Sequence, residues 1–441
     1  MEDYGTWYDN FLALAGTSPF AAMWFLFIHG GWIIVLFLAW YAFKMLWINS
    51  KQTKYLMARD WIYLAIDIPR MHEQTPRAVE NMFAHFAGAH SPSSWVERWF
   101  EGKVQDTISM EIVSIGGNVQ FVVRTTRKLR DLIEASVYAQ YPDAEITEVE
   151  DYTLRVPSHY PDREWEMFGT EMIPTKPDYY PLRTYPEFED KVSGELKDPM
   201  AVFLESMSRV GPDEQVWFQI VLMPEEQKAF RAKGEAAIKK LTGQKVPVKE
   251  SILEKALNLP IKAAGMVLEG SGIFGTTEPS KKKDENPLFT KMLQMTPGER
   301  KVVEAIENKM SKIVFLAKIR FLYVAKKESY NKGRVVMPFV GAIKQFNTND
   351  MQSLKPETKK VGMNVTLWFF KANRNDARKN RFMRSFRLRS SWMGTPNWYM
   401  NIEELATMWH FPITMQTRPT QLKKTEFKRA EPPMNLPYGF S

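Results

Sequence analysis

The sequence predicts an α+β protein: a single N-terminal transmembrane helix followed by βαββαβ modules with antiparallel sheets. Three observations predict it. A 34-residue stretch between Asp9 and Lys44 carries no formal charge. Residues 51–152 then switch between strand-like and helix-like apolar periods in the order βαββαβ. Over all 441 residues, 44% are hydrophobic and 25% charged, the balance of a folded protein rather than of a polytopic or disordered chain.

The anchor comes first. FAAMWFLFIHGGWIIVLFLAWYAF (Phe20–Phe43) is 24 residues long. At about 1.5 Å per residue, a helix of that length crosses a hydrocarbon layer roughly 30 Å thick with some tilt. A cleaved signal peptide does not fit, because acidic residues precede the run, the run is too long and no small-residue cleavage site follows. Glu2, Asp3 and Asp9 lie before it; Lys44, Lys51, Lys54 and Arg59 lie after it. Positive charge stays on the cytoplasmic side, so the expected topology is single-pass in the inner (cytoplasmic) membrane, N-terminus outside and main body cytoplasmic. Trp24, Trp32, Trp40, Tyr41 and Trp47 are its membrane-anchoring aromatics, the last three at the inner boundary. His29-Gly30-Gly31 lies mid-span, either as a close helix–helix approach in an oligomer or as a tolerated neutral histidine.

The body follows. WIYLAIDIP (Trp61–Pro69) reads as a strand, and Thr75-Pro76 opens a helix bearing Val79, Met82, Phe83 and Phe86 on one side. ISMEIVSIGGNVQFVV (Ile108–Val123) is two apolar runs around a Gly-Gly-Asn turn, a hairpin signal. RKLRDLIEASVYAQYP is helical in period, and AEITEVEDY is the closing strand. This order folds as a ferredoxin-like module with both helices on one face. Pro157–Tyr185 breaks periodicity and reads as a linker or arm. QVWFQIVLMP (Gln215–Pro224) is a buried-type strand, and a helix running from Glu225 to Gly243 follows. Ser251–Glu254 has the capping-box pattern.

Further on, Thr296-Pro-x-Glu opens a helix that leads into the strand IVFLAKIRFLYVA, with Lys318 and Arg320 on one face. A helix around Gly333–Phe346, the strand NVTLWFF (Asn364–Phe370), a basic segment and a helix opened by Asn401–Glu404 complete a second α/β module. The expected organisation is residues 1–50, external N-terminus and transmembrane helix; 51–152, first ferredoxin-like module; 153–270, linker arm and helix-rich middle region. Residues 271–297 form a flexible loop, and 298–441 the second module with its basic segment and C-terminal tail.

Chemistry is sparse. No cysteine is present, which excludes disulfides, thiolate metal sites and cysteine nucleophiles. The six histidines show no i, i+3 or i+4 pair, so no metal site is expected. GSGIFGTT (Gly270–Thr277) has Thr276 where a phosphate loop requires lysine, and its following residues are not helical in pattern. No catalytic residue and no cofactor are expected. The net charge of +8 is uneven: Lys281–Ser441 holds 31 basic and 13 acidic residues, leaving the first 280 residues net acidic. KANRNDARKNRFMRSFRLRSS concentrates Lys371, Arg374, Arg378, Lys379, Arg381, Arg384, Arg387 and Arg389, with Phe382 and Phe386 interleaved. Such a segment fits a nucleic-acid backbone with base stacking, or an interface with an acidic protein partner, or a solvated surface.

Four stretches in order, AIDIPRMHEQTPRAVENMF, EASVYAQYPDAEITEVEDY, AKIRFLYVAKKESY and NIEELATMWHFP, resemble the membrane-anchored N-terminal region of type IV secretion-like, conjugative coupling ATPases of candidate-phyla bacteria. The resemblance covers most of residues 55–435. In that family a RecA-like motor follows, and the sequence stops at EPPMNLPYGFS, ahead of where a phosphate loop would come. The resemblance therefore implies a self-associating membrane scaffold or adaptor that docks a separate P-loop ATPase and other secretion components. The alternative is a membrane-tethered DNA-binding protein acting through residues 371–389.

Overall fold

The computed structural model describes residues 3–69, 74–189, 197–242, 295–363 and 370–412. The chain forms two compact units, Met1–Trp61 with Ser91–Asp106, and Ile62–His90 with Thr107–Ser441.

The first unit is built on helices α1 (Asp3–Thr17), α2 (Pro19–Leu26) and α3 (Trp32–Met57). Ser18 caps α2, accepting from the Ala21 N–H, and Pro19 takes the first helical position, where its missing N–H costs nothing. The apolar stretch Pro19–Met57 is long and apolar enough to cross a membrane. It is not one smooth helix: at His29 and Gly30 the backbone leaves helical geometry, Gly30 with φ +114°. A side chain at Gly31 would stand 2.8 Å from the Leu26 carbonyl oxygen, so the glycine pair serves the kink itself. The His29 ring nitrogen Nδ1 lies 2.7 Å from the Phe25 carbonyl oxygen, so its polar atom is satisfied within the same chain.

The second unit is an α+β body whose described residues contribute nine strands to one sheet. Its first half contains β1 (Trp61–Asp67), α4 (Pro76–Phe86), β2 (Ile108–Ile115), β3 (Asn118–Thr126), α5 (Arg130–Tyr138) and β4 (Glu145–Glu148). The strand order β4-β1-β3-β2 is that of a ferredoxin-like βαββαβ unit. Gly116 and Gly117 form the two-residue hairpin turn, both with positive φ (59° and 85°), which a residue with a Cβ adopts only at a cost. The helix after Thr75-Pro76 forms with proline at its start, but the Thr75 hydroxyl makes no capping bond.

The second half contains β5 (Trp165–Pro174), α6 (Pro199–Ser208), β6 (Glu214–Pro224), α7 (Lys228–Leu241), α8 (Pro297–Ser311), β7 (Val314–Lys326), α9 (Lys332–Lys344), β8 (Leu354–Pro356), α10 (Lys371–Arg387), β9 (Trp398–Asn401) and α11 (Ile402–Met408). The strands β5, β6, β7 and β8, with α6 and α9 between them, make a second βαββαβ unit in the order β6-β7-β5-β8. The two units join edge to edge through the antiparallel pair β2–β6, giving a continuous sheet. β7 pairs with β6 on one edge, and with β5 and then β9 on the other.

This corrects the expected division of the chain. Residues within Pro157–Tyr185, read as a linker or arm, instead supply β5, an interior strand of the second unit. The second unit therefore starts near residue 165 rather than 298. The segment read as basic forms the helix α10 over Lys371–Arg387. Its C-terminal elements, β9 and α11, lie beyond the βαββαβ core. The capping boxes Thr296–Glu299 and Asn401–Glu404 both form. The loop Gly270–Thr277, the Ser251 capping pattern, the residues Asn364–Phe369 of the expected strand, and the C-terminal tail after Pro412 lie outside the described residues.

The two faces of the sheet differ. Alternate residues such as Ile108, Met110 and Ile112 of β2 and Phe218, Ile220 and Leu222 of β6 point into an apolar core with α4, α5, α6, α9 and α11. On the opposite face Trp217, Leu322 and Val324 pack against Phe382, Met383 and Phe386 of α10.

Candidate functional site

The α10 face of the sheet carries a row of buried polar side chains. Glu111, Gln219, Arg320 and Glu171 stand opposite one another across β2, β6, β7 and β5. Each is at most 1% exposed. Gln219 donates to Glu111 (3.0 Å) and accepts from Arg320 Nη1 (3.1 Å), while Arg320 Nε donates to Glu171 (3.0 Å). Burial pulls the Arg320 pKa down, against the pull of Glu171.

Arg389 closes this row from above. Its Nε and Nη2 donate to the two oxygens of Glu111 (3.0 and 3.2 Å), and its Nη1 and Nη2 to Asp151 (2.7 and 3.0 Å). Burial works against the Arg389 charge, but Glu111, Tyr152 and Asp151 outweigh it and hold its pKa well above the usual arginine value. Burial raises the Asp151 carboxyl, yet the Arg389 hydrogen bond and charge outweigh that and leave it lowered. The Tyr152 phenol, pushed up by burial and by Glu111, donates to Glu111 (2.8 Å). Arg124 of β3 is brought down to about 10 by burial and by the Arg389 charge.

Residues 388–396 form a loop tied to this row by its backbone. Lys318 Nζ donates to the carbonyls of Ser391 (2.7 Å) and Met393 (2.8 Å), and Arg320 Nη2 to those of Ser390 and Met393. Glu171 accepts from both the N–H (2.6 Å) and the hydroxyl (2.7 Å) of Thr395. Gly394, with φ +95°, passes so close that a Cβ would stand 2.2 Å from Glu171 Oε1. The loop holds Trp392 outward, 66% exposed.

The Glu111 carboxylate already accepts from Ser109, Gln219, Tyr152 and Arg389. A carboxylate so fully used is a fastening, with no lone pair to spare for proton transfer. The row thus holds α10 and its loop in place. Gly169 of β5 lets α10 seat closely, since a Cβ there would lie 2.3 Å from the Phe382 ring.

The eight basic residues expected to act together divide into two sets. Arg389 is buried as described. Arg387 donates to the carbonyls of Thr153 (2.7 Å) and Val156 (2.6 Å), Arg378 to those of Gly362 (2.6 Å) and Lys359 (2.8 Å), and Lys379 pairs with Glu166 (2.6 Å). Lys371, Arg374, Arg381 and Arg384 are exposed and make no ion pair among the described residues. Helical spacing puts Arg374, Arg381 and Arg384 on the side of α10 opposite Phe382, Met383 and Phe386. Phe382 and Phe386, expected as stacking residues, are 2% and 0% exposed. Of the anchor aromatics, Trp24, Trp32, Trp40 and Tyr41 are exposed and Trp47 is half-buried.

Sequence reasoning missed the polar row, although its signal is visible: Glu111, Glu171, Gln219 and Arg320 interrupt the otherwise apolar middles of the strands ISMEIVSI, WEMFGTEMIP, VWFQIVLM and LAKIRFLYV. Among the described residues no group of three or more His, Asp or Glu could hold a metal ion. Comparison with curated proteins finds no match. A family model matches residues 69–423, most of the chain, from just after β1 to beyond α11. The chain therefore belongs to the family described as a domain of unknown function, DUF8128.

Proposed function

We propose that this chain is a single-pass inner-membrane scaffold or adaptor of a type IV secretion-like or DNA-transfer machine, with its N-terminus outside and its body cytoplasmic. In this reading it self-associates and docks a separate ATPase through an acidic surface that meets Arg374, Arg381 and Arg384. The observation that carries the docking role is the division of the basic segment. Half of it is spent fastening α10, and the outward stripe is left on a helix that is already rigid. A pre-ordered cationic surface loses little entropy when it meets an anionic partner.

A protein partner is favoured over DNA by Phe382 and Phe386. Both are packed beneath α10, where no base can stack on them. The machine assignment rests on the four-stretch resemblance to coupling ATPase N-terminal regions, and the membrane assignment on the apolar stretch Pro19–Met57 with basic residues on its C-terminal side.

The test is extraction of the tagged full-length chain from its native membrane in mild detergent, with native mass and mass-spectrometric identification of what co-purifies. A P-loop ATPase in a multi-subunit assembly is the expected result. A lone monomer, or a homo-oligomer carrying no ATPase, contradicts motor docking. Co-elution of DNA that falls steeply with salt establishes the tether reading instead.

A further inference from the structure

The first unit contains a feature that the anchoring reading leaves unused. Residues 91–106 leave the first βαββαβ unit between α4 and β2 and fold against α3. The segment is closed on itself. The Ser91 N–H donates to Gln105 Oε1 (2.8 Å), Ser94 and Glu97 cap each other (2.7 and 3.2 Å), and Lys103 pairs with Glu97 (2.6 Å). Its helical turn, Glu97–Glu101, ends at Gly102 in the left-handed region, with φ 73°.

The segment is seated on one level of α3. The Trp47 indole N–H donates to the Trp99 carbonyl (3.0 Å), and a Cβ at Gly102 would lie 2.3 Å from the Lys51 carbonyl carbon. Arg59 and Asp106 pair at 3.1 Å. Trp95 stacks on Trp99 (centroids 5.8 Å apart) and meets Phe100 edge-on (6.5 Å). Trp95, Val96 and Phe100 are nevertheless 68%, 57% and 55% exposed. Large apolar side chains held out together on a tightly bonded turn mark an interaction surface rather than a scattered exposure.

Its height along α3 identifies the partner. Phe43 ends the uncharged run. At about 1.5 Å per residue, Trp47 lies about 6 Å and Lys51 about 12 Å beyond it. The headgroup layer on each side of the hydrocarbon core is about 5–8 Å deep. The Trp99 end of the turn thus stands at headgroup level, where tryptophan side chains partition best, and its Gly102 end just beyond it. Lys44, Lys51 and Lys54 on the same stretch of helix supply positive charge for anionic headgroups.

We infer that residues 94–100 are a second membrane contact, in which Trp95, Val96 and Phe100 enter the interfacial layer of the leaflet that α3 leaves. This inference rests on the reading of Pro19–Met57 as a membrane span. It adds a second point of attachment to the leaflet that α3 leaves.

The lack of cysteine makes the test direct. Single-cysteine variants of the full chain, Phe100→Cys, Phe37→Cys and Leu154→Cys, carry an environment-sensitive fluorophore. They are reconstituted in vesicles of phosphatidylethanolamine and phosphatidylglycerol. Quenchers are placed on the lipids either near the headgroup or near the chain terminus. All three positions are exposed, so substitution leaves the fold intact. The label at Phe100 should be blue-shifted and quenched roughly twofold or more by the shallow quencher, as expected for insertion at the interface. Phe37 should respond to the deep quencher and Leu154 to neither. If Phe37 responds and Phe100 reads like Leu154, the second contact is refuted while the span stands. A blue-shifted Phe100 label that no lipid quencher reaches means that protein covers the turn, which also refutes it. A Phe37 label unquenched by either lipid refutes the span itself.

Discussion

The two faces of the sheet achieve burial by opposite means. On one, five helices cover a continuous apolar core in which residues such as Val79, Phe83, Phe203, Phe218 and Phe339 are at most 1% exposed. On the other, α10, the 388–396 loop and residues 152–160 cover a smaller apolar cluster and, beside it, a row that includes Glu111, Gln219, Arg320, Glu171 and Arg389, also at most 1% exposed. Hydrophobic burial is non-directional and tolerates some repacking. A hydrogen-bonded charge row demands one geometry, because every unmet donor or acceptor there is costly. The apolar face therefore accounts for most of the stability, and the charged face fixes where α10 and Trp392 stand.

The largest expected effect breaks the charged face by removing a single partner. Arg389→Ala leaves the buried Glu111 and the half-buried Asp151 without their cation and should cost about 3–5 kcal/mol in chemical denaturation. Replacing the whole set, Arg389→Met with Glu111→Met and Asp151→Asn, should recover most of that loss. If the triple variant is no more stable than Arg389→Ala, the row contributes net stability and the comparison is wrong. Next comes close seating. Gly169→Ala forces a Cβ into the Phe382 ring and should cost about 1–3 kcal/mol, read from the denaturation midpoint. The same change at Gly298, in the first turn of α8 with nothing within 4 Å, should be neutral or stabilise by up to about 1 kcal/mol.

A smaller effect is a pH slope. Burial, reinforced by Arg320, brings Lys318 down to about 8 from an ordinary value of 10.5. Between about pH 8 and 10 the unfolded chain then binds more protons at this residue than the folded chain does, so its contribution to stability rises with pH. Lys318→Met should flatten that part of the stability profile, measured by urea denaturation at several pH values. An unchanged slope shows that Lys318 titrates normally.

How much was legible in the sequence follows the same contrast. The helix through Val79, Met82, Phe83 and Phe86 and the Gly116-Gly117 hairpin are local patterns, and both formed as read. The boxes Thr296–Glu299 and Asn401–Glu404 are equally local. β5 was hidden because WEMFGTEMIP lacks clean alternation and finds its partner, β7, more than a hundred residues later. β8 is three residues long and has no period to read. In the basic segment the arginines could be counted, but whether each turned in or out depends on the sheet beneath. Phe382, Met383 and Phe386 mark the inner side only once the segment is known to be helical. Arg389 lies past the helix end, with φ 49°, and no helical period predicts its burial.

The smallest expected effect on stability belongs to the outward stripe, and it tests the central claim. Arg374→Glu, Arg381→Glu and Arg384→Glu combined should leave the denaturation midpoint nearly unchanged, because surface substitutions usually stay within about 0.5 kcal/mol each. The full-length variant, extracted beside the wild type in the same mild detergent, should lose the co-purifying ATPase while keeping its membrane association. Undiminished retention of the ATPase by a folded triple variant would contradict the assignment of α10 as the docking face.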